Sequence, residues 1–297
     1  MKFLFAWIIS LSFLSGCAFF DSKKIKPTEL KKLEDKLVFR LSWKVDVGRI
    51  AAIDSGPISF TPMVSGNLVI ASASNGSISI LNLKDGSIVR KIELNENILS
   101  SAAFKEGSNG QILAVILESG ELGLVRVGEG FAWRIPLDGI TRLPPFLNDD
   151  VVVVKYSDNR IFGYDVKTGE RLWNISRRVP SLTLHGQSGI RFFSEEDASS
   201  DIVDSQESLA VNMAGGRLLL LSPKTGALEW ENRAVFPRGT NEVERIVDLI
   251  GLPFVTEDEV CSTSYQTSIF CLRTADGEVL WSKDFSAVKP AVFKKPF

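Results

Sequence analysis

After residue 40 the apolar and polar positions alternate in short runs broken by Gly- and Asn/Asp-rich turns, and no helical period persists beyond about three turns. Five stretches share one pattern of apolar strand, short polar turn, second strand, Gly-containing turn and aromatic-bearing strand. They read NLVIASASNGSISILNLKDGSIVRK, QILAVILESGELGLVRVGEGFAW, VVVVKYSDNRIFGYDVKTGERLW, LAVNMAGGRLLLLSPKTGALEW and EVCSTSYQTSIFCLRTADGEVLW. The turn glycines are Gly86, Gly130, Gly169, Gly226 and Gly277, at spacings of 44, 39, 57 and 51 residues. Those are periods of a propeller blade. Glycine suits the position because a tight hairpin needs a residue at positive φ.

Trp173, Trp230 and Trp281 each follow their glycine by four residues, Trp133 follows by three, and Arg90 holds the place in the first repeat. One large ring per unit is what packs a blade against the next, since a single blade has an apolar face that it cannot bury alone. The pattern predicts an all-β chain, a β-propeller of four-stranded antiparallel blades with about five visible over residues 39–285. The competing arrangement is a β-sandwich with unrelated hairpins, which rarely repeats a turn glycine and a tryptophan in register. The surplus length falls in two connections, RRVPSLTLHGQSGIRFFSEEDASSDIVDSQES and FPRGTNEVERIVDLIGLPFV. Insertions of this kind map to loops on one rim, often the binding rim. By periodicity alone, Leu182 and Leu184 read as the inward face of an ordinary strand.

The N-terminus has a different pattern. Lys2 precedes an apolar run from Phe3 to Leu14, too short for a stable span, and then Leu14-Ser15-Gly16-Cys17. This resembles a bacterial lipobox, so residues 1–16 are expected to be a lipoprotein signal peptide and Cys17 the lipidated mature N-terminus. At ~0.8 kcal/mol per buried CH₂, three acyl chains anchor for practical purposes permanently. Ala18 in place of Asp points, by the sorting rule for such proteins, to the outer membrane. Residues 17–38 are charged, contain Pro27 and read as a tether, with a short helix conceivable at residues 28–37. Membrane attachment is expected through the lipid alone.

Composition narrows the function. The 297-residue chain has a net charge of −2, so no basic surplus exists to hold nucleic acid. Its single histidine removes most nucleophile, base and metal sets, and no zinc or haem cysteine spacing occurs. No cofactor or metal is expected. Cys261 and Cys271 flank a hairpin; a two-residue turn would point them to opposite faces and a three-residue loop would set them opposite one another. We expect two buried thiols, a disulfide being the alternative in an oxidising compartment.

The stretch from Gly163-Tyr164-Asp165 through Gly169 to Trp173 resembles the tryptophan-docking motif of quinoprotein-like (PQQ-type) propellers, and other copies are degenerate, with Leu220 and Ser222 or Cys271 and Arg273. Pro180-Ser181-Leu182-Thr183-Leu184-His185-Gly186-Gln187-Ser188, with Glu242-Val243-Glu244-Arg245-Ile246-Val247-Asp248 some sixty residues later, resembles the BamB family. These are the propeller lipoproteins of the machinery that inserts β-barrel proteins into the outer membrane. The resemblance implies a non-catalytic scaffold on the periplasmic face whose two loops contact BamA, the barrel subunit, through its POTRA domains. Leu182, Leu184 and His185 would then touch the partner, Asp248 would add charge, and other assembly components and unfolded barrel clients would be further partners. His185 stands where the family usually has Arg, and Ile250 where it has a second acid. The family builds eight blades; five are counted here, followed by an irregular tail over 286–297, which reads as truncation rather than closure on five. The alternative function is a quinone-cofactor dehydrogenase, whose relatives carry adjacent paired cysteines that this chain lacks.

Overall fold

The computed structural model describes residues 40–50, 60–107, 110–184, 189–194 and 207–287. The signal peptide, Cys17, the tether, His185 and the tail from residue 288 onward lie outside the described residues. No helix among the described residues is long and apolar enough to cross a membrane.

The described residues form five four-stranded antiparallel sheets, each a meander in chain order. Blade one is β1 (Met63–Ser65), β2 (Leu68–Ser72), β3 (Ser77–Asn82) and β4 (Ile88–Glu93). Blade two is β5 (Ala103–Gly107), β6 (Gly110–Ile116), β7 (Glu121–Arg126) and β8 (Gly130–Pro136), and blade three is β9 (Phe146–Leu147), β10 (Val151–Lys155), β11 (Arg160–Asp165) and β12 (Arg171–Ser176). Blade four is β13 (Ile190–Ser194), β14 (Glu207–Met213), β15 (Arg217–Leu221) and β16 (Leu228–Asn232); blade five is β17 (Leu249–Val255), β18 (Glu259–Ser264), β19 (Ser268–Arg273) and β20 (Val279–Asp284). The chain is a β-propeller of this repeat type.

The two middle strands of each blade are largely buried on both faces, as expected of sheets packed against neighbours. β10 is buried at every position. The residues facing out of blade two (Ala114, Ile116, Leu122, Leu124) pack on Val152, Val154 and Phe162 of blade three, and equivalent clusters join blades one to two, three to four and four to five. Outermost strands instead alternate exposed and half-buried residues, as in β12. Every outer hairpin also carries a bulge at one place, between Ile80/Leu81, Leu124/Val125, Gly163/Tyr164, Leu220/Leu221 and Cys271/Leu272. A bulge raises local twist, and here it falls beside the residue paired with the docking position.

The docking is directional. Trp133 Nε1 donates to the Val166 carbonyl at 2.8 Å, Trp173 Nε1 to Pro223 at 3.0 Å and Trp230 Nε1 to Thr274 at 2.7 Å. Each acceptor lies three residues before the next blade's turn glycine, and each ring lies flat enough on that glycine that a Cβ on Gly226 would stand 2.6 Å from Trp173. Glycine is thus required twice at Gly226, by its φ of +70° and by the ring against it. Trp43, which the repeat pattern did not single out, makes the same bond to Leu83 at 2.9 Å and packs with Val45 and Val47 on the first face of blade one.

Two expectations need correction. Gly130 does not hold the position of Gly86, Gly169, Gly226 and Gly277, whose N–H groups each bond back to the carbonyl four residues earlier. It pairs with Arg126 inside β8, because the blade-two turn is one residue shorter, and that is why Trp133 follows at three. Cys261 and Cys271 are joined in a disulfide rather than free. The hairpin loop is Tyr265-Gln266-Thr267, three residues with Gln266 at φ +62°, so the two cysteines sit directly opposite. The ten-residue separation gives a loop-closure contribution of about 2–3 kcal/mol. A Cys261→Ala/Cys271→Ala variant is expected to lose about that much in urea denaturation; an unchanged midpoint would mean that β18 and β19 are fully fastened by their ladder.

Blade five ends the series differently. Trp281 is 42% exposed, and among the described residues its Nε1 has no partner. On the same face Thr263 is buried with its Oγ1 unbonded among the described residues. Its counterpart in blade four, Asn212, reaches into blade five, donating to the Gly251 carbonyl at 3.0 Å and accepting from Ser262 Oγ at 3.0 Å.

Candidate docking site

The two long connections meet at Asp248. The first leaves β12 with Arg177 paired to Glu231 at 2.8 Å, a carboxylate shared with Arg217 at 2.6 Å. It then runs through Val179 and Pro180, whose ring packs over Gly215 in the blade-four turn. Beyond it Leu182 is 44% exposed and Leu184 is half-buried. These leucines lie on a loop, not on the strand that their alternation suggests, because Pro180 and the turns around it leave no partner ladder.

Asp248 was expected to present charge to a partner, and the structure places it otherwise. It is 1% exposed, and its two carboxylate oxygens accept the backbone N–H groups of Leu184 at 2.5 Å and Gly215 at 2.7 Å. Burial raises its pKa, opposed by those two donors and by the Lys155 ammonium. The carboxylate therefore staples the loop to blade four. Ile250, where a second acid was anticipated, is a 1% exposed residue of β17 paired with Thr263, so an acid there would be buried in the sheet.

Lys155 is the group that sequence reading missed. It ends β10, is 4% exposed, and has its pKa lowered to about 8 by desolvation against the pull of Asp248 and Asp158. A lysine charging at about 8 when folded and near 10.5 when unfolded binds fewer protons folded within that window, so stability rises as pH climbs through it. The urea midpoint is expected to rise between pH 8 and pH 10 relative to a Lys155→Met variant; parallel curves would refute the assignment. The only signal in the sequence was one cation closing the apolar run VVVVK.

The second connection is ordered by its own side chains. Glu244 accepts from Thr240 N at 2.8 Å, and its own N–H donates to Asn241 Oδ1 at 2.9 Å. Val243 and Phe236 stand exposed on it. Among the described residues the only group of His, Cys and acidic side chains close enough to share a metal is Glu259, Cys261 and Cys271. The disulfide removes both thiols from such a role.

A propeller whose blades are locked by inter-blade indoles is a propeller of the quinoprotein-like (PQQ) type. The family model for "Outer membrane protein assembly factor BamB" matches residues 99–295, and the chain belongs to that family. The curated relative from Bordetella pertussis is 29% identical over 287 residues, covering 96% of this chain and 69% of its own. That from Burkholderia pseudomallei is 26% identical, covering 90% and 65%. This chain thus spans roughly two thirds of the length of the relatives it matches. The crystal structure of BamB from Moraxella catarrhalis aligns at a TM-score of 0.62 and 21% identity, over 77% of this chain and 65% of that one. A quinohemoprotein alcohol dehydrogenase from Comamonas testosteroni aligns at 0.52 and 13% identity, over 80% and 46%, a likeness of fold alone.

Proposed function

We propose that the chain is a non-catalytic scaffold in the assembly and insertion of outer-membrane β-barrel proteins, docking on the periplasmic POTRA domains of a BamA-like barrel-insertion subunit. The observation that carries this reading is the loop at residues 180–184, which exposes Leu182 while Asp248 fastens its backbone. A loop held before the partner arrives costs little further ordering on binding, so its apolar contact area is available for affinity. The names of the relatives, outer membrane protein assembly factors, support the process and the membrane. Lipid attachment at Cys17 would confine both partners to one surface and raise their effective concentration. His185 would lie beside the contact, and other assembly components and unfolded barrel clients are further partners in this reading.

The test is a pull-down between the chain and the POTRA array of the same organism, with a Leu182→Ala/Leu184→Ala variant alongside. Retention of the parent and loss of the variant are expected. Equal retention of both would remove the dock from this loop. The adjacent paired cysteines of quinone-dependent dehydrogenases have no counterpart in this sequence, whose cysteines are Cys17, Cys261 and Cys271.

A further inference from the structure

The junction between blades one and two departs from the other three in linked ways. Its docking position holds Arg90 where its neighbours hold an indole, and the turn it faces is the short one, Val127-Gly128-Glu129. Between them the rim opens into a cleft of about 400 Å³. Arg90 Nη1 lies 3.3 Å from the point where a Cβ on Gly128 would stand, so the guanidinium takes the place of the ring. Yet among the described residues it has no hydrogen bond, ion pair or ring contact. Arg126 pairs with Glu129 at 4.0 Å, and its register partner Ile112 packs on the face toward blade three. Lys91 is already neutralised by Glu93 at 2.8 Å, which leaves Arg90 as the uncompensated charge.

We propose that this cleft binds an acidic, extended segment of a partner polypeptide. A carboxylate seats on Arg90, whose guanidinium fork gives paired, charge-assisted hydrogen bonds. The neighbouring apolar side chain packs on Phe131 and Ile92, which line the same cleft. Among the described residues β4 is the outermost strand of its sheet, so its backbone edge can pair with the incoming chain. A flat lipid surface does not enter a groove recessed between two sheets, and the net charge of −2 draws the protein to no anionic membrane. An inorganic anion would use Arg90 and leave the apolar wall idle. The site is separate from the Leu182 loop, so either can fail without the other.

The experiment titrates a fluorescein-labelled, end-blocked peptide Gly-Phe-Glu-Phe-Glu-Gly into the full chain and follows anisotropy. Saturable binding is expected, weakened about tenfold or more by Arg90→Glu or by glutamine in place of both peptide glutamates, and unchanged by Lys224→Glu on another blade. Arg90→Gln provides a second arm should Arg90→Glu unfold, which melting curves would reveal. Absence of saturable binding, or equal binding by the parent and both Arg90 variants, overturns the proposal. So does binding to phosphatidylglycerol vesicles that Arg90→Glu abolishes while the peptide stays unbound, since that assigns the cleft to lipid.

Discussion

Replacing Trp230 by Ala is expected to lower the unfolding free energy by about 3–5 kcal/mol, the range for deleting a large buried aromatic side chain. The indole is 9% exposed, packs with Leu218 and Leu220 of its own blade and Phe270 and Leu272 of the next, and donates to the Thr274 carbonyl. Its loss opens a cavity between two sheets and strands that acceptor. The internal comparison is Trp281→Ala, the same residue type at the same blade position but 42% exposed and undocked, which should cost well under half as much. Urea denaturation followed by circular dichroism would report both, since far-ultraviolet signal does not depend on the deleted ring. Equal losses would show that the stabilisation comes from the ring's own blade and not from docking.

The second large effect is expected at Asp248. Asp248→Ala removes the acceptor of two backbone N–H groups, Leu184 and Gly215, and the anion that faces the buried Lys155. Removing one of two buried opposite charges costs up to about 3–5 kcal/mol because the remaining charge is uncompensated. Binding to the POTRA array should fall together with stability, although the carboxylate is not at the surface. Asp248→Asn keeps one acceptor oxygen and should fall between. Amide exchange separates staple from contact: the Leu184 N–H should exchange faster in Asp248→Ala. If stability and that amide are unchanged while binding is lost, Asp248 meets the partner directly.

Much of the fold was legible because a propeller repeats its physics. The turn glycines and rings recur at blade-length intervals, and the strands between them alternate or run apolar according to whether one or two faces are covered. Trp43 escaped notice because it lies before the first complete repeat, with no strand pattern around it, although it precedes Gly86 by a blade length. Gly130 misled because the turn is one residue shorter, with Gly128 inside it and Gly130 just after it, and glycine spacing cannot tell which is structural. The cysteine pairing turned on a two- or three-residue loop, which Tyr-Gln-Thr does not announce. At the docking site the apolar loop could be read, but the burial of Asp248 could not. A carboxylate taken out of water looks the same in a sequence as one left in it, and only the convergence of Leu184, Gly215 and Lys155 from three elements distinguishes them.

The docking bond also gives the blades a polarity with a consequence for self-association. Blades three and four each offer a ring on one side and a glycine turn on the other, an arrangement that in separate copies would join head to tail and extend without limit unless it closed. The turn of blade one is already filled by Trp43. An indole from a second copy therefore finds no open turn on that face, and growth through it is blocked by one indole contributed in cis.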